Sequence, residues 1–266
     1  MRTTALVIAG MVVAAACSGG SAVAKDYTDG IIVINESQYG KVDSSINYLQ
    51  PRLENEYWSY NVFATENPGK YMGSTNCYGT YHDGKLYVIA KEARDPGSAA
   101  PGGIVTVLDG VTMKLVAQVE AIDPSGARAD GRAFVGVSAS KGYVSTSNGI
   151  WVMDLADYSV TGQIAGTENP FGTDNLATAN PDCALYHGQC GMMIKSGDRV
   201  FAAHQSYGLL VIDAVNDRVE KTVAMDIVQP GAGIGSVVKS ADGGIWVSVT
   251  ENTNGDGYNL SALVKV

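Results

Sequence analysis

The sequence predicts an all-β protein, a β-propeller of four-stranded blades, and three observations predict it. The 266 residues include 32 Gly and 14 Tyr against 4 Phe, with only 17% charged residues. Such a chain suits turn-dense strands better than helices. No segment carries a long apolar period of 3.6 residues, the mark of an amphipathic helix. The third observation is a repeat. An apolar strand closing on Asp recurs at Ile104–Asp109, Ile150–Asp154 and Leu209–Asp213, with the aspartates 45 and 59 residues apart.

The first element is an address rather than structure. Residues 1–24 hold Arg2 and then a 12-residue apolar run, Ala5–Ala16. A bilayer-spanning helix needs about 20 residues, so this run reads as the core of a signal peptide. Two processing sites compete. Ala14-Ala15-Ala16-Cys17 resembles a lipobox with Cys17 as the lipidated residue, followed by a Ser-Gly-Gly-Ser tether, and Ala22-Val23-Ala24 fits cleavage after Ala24. Either route exports the chain, and the lipobox route makes it an outer-membrane or cell-surface lipoprotein, with the periplasm second. Its only membrane contact would be that anchor. The folded domain is then 25–266. Export permits disulfides, and Cys183 with Cys190 is the candidate pair because they are close in sequence.

Four strand types follow one another in each repeat, called here A to D. The A strands include Phe134–Ser138, Met192–Lys195 and Ser236–Lys239. A Gly-containing turn leads to B strands such as Leu86–Val88, Tyr143–Val144, Val200–Phe201 and Ile245–Val247. The Asp-ended C strands come next, then D strands at Leu115–Val119, Val160–Ile164 and Val219–Val223. Four-stranded units repeating every ~40–50 residues are the signature of a propeller, because one blade cannot bury both faces alone. Tyr48–Gln50 is a weaker C copy, and Leu263–Val266 is another that stops where its Asp would come. A seven-bladed ring at this period needs roughly 300 residues or more. The expectation is therefore a fragment or short form whose C-terminal blades are incomplete.

Loop lengths give the molecule two unlike faces. The A–B and C–D turns are short, and the three aspartates at the C–D turns read as turn formers that bond nearby amides. The B–C loops (91–103, 204–208, 251–259) and D–A loops (67–76, 121–132, 166–189) are mostly longer and open on the opposite face. Long loops on a rigid scaffold are where function concentrates.

A family resemblance enters at Ile32-Val33-Ile34-Asn35-Glu36-Ser37-Gln38-Tyr39-Gly40, followed by Ser45-Ile46-Asn47-Tyr48. This opening, with the Tyr-Val…Asp strand pairs, resembles the first blade of the YncE-like surface propellers of Bacteroidetes, over about residues 28–266. Ser37 stands where that family usually has Gly. The resemblance implies a seven-bladed fold. It also implies likeness to surface lipoproteins that capture cobalamin and related corrinoids for a TonB-dependent outer-membrane transporter.

The binding residues come from loop placement instead. Tyr39, Tyr71, Arg94, Arg128, Arg132, Phe171, Tyr186, His187, His204, Tyr207 and Tyr258 all fall on the long-loop face. Aromatics with a few cations suit a flat or amphiphilic ligand, though each residue alone could equally pack beneath its own loop. Asp182, Cys183, His187 and Cys190 are too irregularly spaced to read as a zinc set. Asn252-x-Asn254-x-Asp256-Gly257 resembles the start of a Ca²⁺ loop, but Leu263 stands where the twelfth-position Glu belongs, so an ordinary turn is expected. No cofactor is expected.

Asp+Glu 27 against Lys+Arg 18 gives a net charge of −9, which argues against nucleic acid as a partner. No nucleophile elbow, P-loop or dinucleotide motif is present, so no enzyme is expected. The leading expectation is an exported propeller that captures a small nutrient, a corrinoid by resemblance. A surface scaffold for proteins or glycans is the alternative. A lactonase-like metal-dependent hydrolase is the third reading, and the largely apolar A strands weigh against it.

Overall fold

The computed structural model describes residues 25–41, 43–50, 57–172, 188–225, 233–250 and 262–266. Every strand in it belongs to one of five antiparallel sheets, in chain order. The first holds β1 (Ile31–Asn35), β2 (Ser45–Gln50) and β3 (Tyr57–Ser59). A single short helix, α1 (Val62–Glu66), leads to the second sheet. That sheet holds β4 (Ser74–His82), β5 (Lys85–Glu92), β6 (Val105–Asp109) and β7 (Leu115–Val119). The third holds β8 (Gly131–Ser138), β9 (Lys141–Thr146), β10 (Gly149–Asp154) and β11 (Val160–Gln163). The fourth holds β12 (Cys190–Ser196), β13 (Arg199–His204), β14 (Gly208–Asp213) and β15 (Arg218–Val223). The fifth holds β16 (Gly233–Lys239), β17 (Ile245–Thr250) and β18 (Ala262–Lys265).

The innermost strands β4, β8, β12 and β16 touch in succession, which is the arrangement of propeller blades around an axis. Four apolar clusters fill the four gaps between the five sheets. Tyr48, Leu86 and Leu108 lie between the first and second, and Tyr87, Phe134 and Trp151 between the second and third. Tyr143, Ile150 and Leu210 lie between the third and fourth, and Leu209, Ile234 and Val247 between the fourth and fifth. In the middle sheets the inner strands alternate between two gaps, as in β5, where Leu86 and Val88 face the first gap and Tyr87 and Ile89 the second.

The turns follow the sequence chemistry. Asp83 and Gly84 both have positive φ, 46° and 72°, and join β4 to β5 in the two-residue geometry that matches strand twist. Asp109 Oδ1 accepts the amides of Val111 and Thr112 at 3.1 and 2.8 Å. Asp154 and Asp213 bond the amides of Ala156 and Val215 in the same way, at 2.8 and 3.0 Å. These three aspartates are turn formers, as their positions predicted.

The first sheet is out of phase with the others. Tyr27, before β1, donates its amide to Val111 at the short-turn end, and the loop after β1 meets Asp95 at the long-loop end. β1 therefore runs in the direction of β5, β9 and β13. It takes the place of a second strand, and the first sheet has no innermost strand among the described residues. Periodicity could not reveal this, because β1 is as apolar as an inner strand. No helix among the described residues is long and apolar enough to cross a membrane.

Candidate functional site

The long loops of different sheets meet on one face. The loop after β1 leans across the second sheet and is fixed there by three contacts. The Gly40 amide donates to Asp95 Oδ2 at 2.7 Å, Lys91 Nζ bonds Glu36 Oε1 at 2.8 Å, and Ser98 Oγ bonds Asp43 Oδ1 at 2.7 Å. Asp95 also accepts the Gly97 amide at 2.8 Å and Ser74 Oγ at 3.2 Å. These donors, the Gly40 and Gly97 amides foremost, hold its carboxyl below the usual carboxylate value. Gly40, at φ 72°, supplies the left-handed turn that lets the loop fold back. The result is that Tyr39 stands out, 52% exposed, beside Glu92 at the end of β5. Desolvation first, and then the Glu92 carboxylate, push its phenol above the ordinary value.

Arg128, just before β8, extends the set. Its guanidinium bonds Glu92, and its Nε bonds Asp130 Oδ1 at 2.7 Å. Asp130 is 2% exposed, and its own amide donates to Ser147 Oγ at 2.9 Å. Arg132 Nη2 lies 3.9 Å from the second Asp130 oxygen, and Arg132 Nε bonds Gln189 ahead of β12. Tyr39, Glu92, Arg128, Asp130, Arg132 and Gln189 thus form one chain of contacts across the first four sheets. Exposed ion pairs add little stability. A pair with a buried member is different, because removing one partner strands a charge. That makes Arg128 the fixed centre of the set.

Two cavities open on this face. One of ≈280 Å³ lies beside Arg128 and is lined by Lys91, Glu92, Glu120 and Asp123 over Ile104 and Ile122. The other, ≈250 Å³, has Asp43, Asn61, Lys70 and Tyr71 over Ile46 and Phe63.

Of the residues expected at a binding site, Tyr39, Arg128 and Arg132 are brought together, and Tyr71 lines the second cavity. Arg94 turns back on its own loop, donating to the Ser98 carbonyl from Nε and Nη2 at 3.2 and 2.9 Å. Phe171 is 60% exposed on the loop after β11. His204 requires a correction. Expected on the rim, it is fully buried, with Nδ1 accepting the amides of Ser206 and Tyr207 at 3.1 and 3.2 Å. Its Nε2 lies 3.3 Å from the Glu168 carbonyl, and its ring stacks on Tyr207 with centroids 4.2 Å apart. Burial lowers its pKa to about 4, so the ring is neutral and pins a loop. Cys190 is likewise a free, buried thiol donating to the Thr167 carbonyl at 3.4 Å, not half of a disulfide. Tyr186, His187, Tyr258, Cys17, Cys183 and the 252–257 loop lie outside the described residues.

Sequence reading missed Glu92, Asp130 and Gln189. The available signal was that a buried or half-buried Arg needs acceptors, and Asp130 stands two residues from both Arg128 and Arg132. The assembled face offers fixed donors, fixed acceptors and an aromatic ring, the equipment of recognition.

The sequence model of one family, described as Domain of unknown function (DUF5074), matches residues 29–264. No curated protein matches the chain. Among solved structures it is similar to the extracellular domain of the hybrid two component system BT3049 from B. thetaiotaomicron. The two share 13% identity with a TM-score of 0.52, over 90% of this chain and 29% of that one. It is also similar to Sqt1 of Saccharomyces cerevisiae, at 9% identity and a TM-score of 0.55, over 88% of this chain and 58% of that one. The chain thus spans less than two thirds of either structure, and the likeness shows the fold alone.

Proposed function

This chain belongs to the DUF5074 family, and we propose that it is an exported ligand-capturing β-propeller whose long-loop face is the binding surface. The observation that carries this reading is the contact chain from Tyr39 through Arg128 to Gln189. It sets an exposed aromatic, two guanidiniums and fixed acceptors on one face, with a buried Asp130 holding them in place. Preorganised groups of this kind bind without a large ordering cost.

The ligand class we propose is a corrinoid, on the resemblance carried by Ile32–Gly40 and Ser45–Tyr48. The two cavities of this face, ≈280 and ≈250 Å³, are smaller than the ~300–1,000 Å³ that drug-sized ligands fill. A corrinoid would therefore lie across the face, with Tyr39 and the guanidiniums beneath it. Lipidation at Cys17 would hold the chain at the outer membrane, where a TonB-dependent transporter would receive the ligand.

Titration calorimetry of the mature protein with cyanocobalamin tests the reading. One-to-one binding, weakened by Arg128→Ala, supports it. A folded protein that gives no heat and does not co-elute with the red ligand overturns it. A second reading, a scaffold for glycans or proteins, draws on the exposed aromatic pair Trp58 and Tyr60. Their rings lie 6.0 Å apart and 15° from parallel. Polysaccharide pull-down without corrinoid affinity would favour it.

A further inference from the structure

The two cavities of the long-loop face are built from the same parts in successive gaps. Each takes the start of a third strand, Ser45 and Ile46 of β2 or Ile104 just before β6, and residues of the connection to the next sheet, within 61–72 or 120–130. Their charges differ in one respect. Beside the first cavity, Arg128 is already bonded to Glu92 and Asp130. In the second, Asp43 and Lys70 line the same ≈250 Å³ and do not bond each other. Asp43 Oδ1 accepts Ser98 Oγ at 2.7 Å. Asp43 Oδ2 and Lys70 Nζ have no partner among the described residues.

The walls around this pair are held in place. Ser44 Oγ donates to the Glu36 carbonyl at 2.9 Å and accepts the Asn76 amide at 3.2 Å. Asn61, at φ 52°, donates its amide to Asn47 Oδ1 at 3.0 Å, and the Tyr71 carbonyl accepts Gln118 Nε2 at 2.7 Å. Ile46, Phe63 and Met72 are buried beneath. Asn67 Nδ2 fixes α1 by donating to the carbonyls of Phe63 and Met113, at 3.0 and 2.9 Å. Groups fixed in this way bind without a large ordering cost.

The lining selects among ligand classes by charge. An anion satisfies Lys70 and meets Asp43 as a like charge, and a cation does the reverse. A neutral ligand leaves both charges unmatched. A zwitterion satisfies both through charge-assisted hydrogen bonds. The cavity is smaller than the ~300–1,000 Å³ of drug-sized sites, and its floor is apolar, so the zwitterion must be compact and carry an apolar tail. We propose that this cavity binds a free α-amino acid with an aliphatic side chain. The ligand's ammonium would lie on Asp43, its carboxylate on Lys70 and its side chain over Ile46, Phe63 and Met72. The site does not depend on the corrinoid reading. Failure of cyanocobalamin to bind leaves it standing, and failure of the amino acid leaves the corrinoid reading standing.

The probe is L-leucine, titrated into the mature protein by calorimetry. Saturable one-to-one binding is expected. Isocaproate, which is leucine without its ammonium, and isoamylamine, which lacks the carboxylate, should each bind at least about tenfold more weakly. Lys70→Gln, at an exposed position that leaves the fold intact, should bring leucine down to the level of isoamylamine. Asp43→Asn, which keeps an acceptor for Ser98, should bring it down to the level of isocaproate. Three results would overturn the proposal. They are absence of saturable heat with leucine, equal binding of either truncated compound, and undiminished leucine affinity in Lys70→Gln.

Discussion

The rings of Tyr87 and Phe134 lie 4.1 Å apart and 4° from parallel, one from β5 and the other from β8 of the next sheet. Both are buried, and burial raises the Tyr87 phenol to about 12. This pair packs the second sheet against the third, whose loops the Glu92–Arg128 contact also joins.

Phe134→Ala should therefore cost about 3–5 kcal/mol, the range for a large aromatic removed from a packed core. Phe134→Leu should cost less than half of that. Urea unfolding with the slope held constant reads both.

Arg128→Ala should lower affinity for the ligand of the long-loop face by at least about tenfold. Arg128→Lys should recover part of it, since an ammonium keeps the charge and loses the forked geometry. Calorimetry on the two variants separates charge from shape. Equal, undiminished affinity in both would remove Arg128 from the site.

His204 gives the fold a pH dependence of known sign. Its folded pKa, about 4, lies below the ordinary value of 6.5. The unfolded chain takes up the proton first, so the contribution is complete above pH 6.5 and is lost as the pH falls toward 4. The loss should be on the order of 3 kcal/mol at most. Thermal unfolding between pH 7 and 4 should show it, and the slope should flatten in His204→Leu even though that variant starts less stable.

Asp109→Ala should destabilise by about 1–2 kcal/mol, because two turn amides lose a charged acceptor. Asp109→Asn should cost less, since its carbonyl oxygen still accepts. Melting temperatures at pH 7 check the order of the two.

Cys17→Ser should move the protein from the membrane fraction to the soluble fraction and abolish incorporation of labelled palmitate. Unchanged fractionation would favour cleavage after Ala24.

Much of the fold was legible because propeller strands repeat their chemistry. Asp109, Asp154 and Asp213 mark the same turn in successive sheets, and Gly84 and Gly197 mark another. Phase was not legible. Ile31–Asn35 is as apolar as any inner strand, and only its neighbours reveal that it occupies a second position. The candidate site was half legible. Arg128 and Arg132 stand in a long loop, but whether a side chain on such a loop faces out depends on partners distant in sequence. Gln189 is 57 residues from Arg132. His204 illustrates the opposite case, since two amides of its own loop draw its ring inward.

Among the described residues the sheets are joined to their neighbours in series, so cooperativity runs along them like a row of coupled spins. Among the described residues, a sheet in the middle is stabilised by two interfaces, and the first by one. Native-state hydrogen exchange should therefore find a gradient of opening energies, lowest at β2–β3 and highest near the Tyr87–Phe134 contact. Tyr39 rides on the first sheet, whereas Arg128, Asp130 and Arg132 ride on the third. Fraying of the first sheet would release the aromatic group and leave the guanidiniums in place, so loss of ligand could begin from one side while the other still holds.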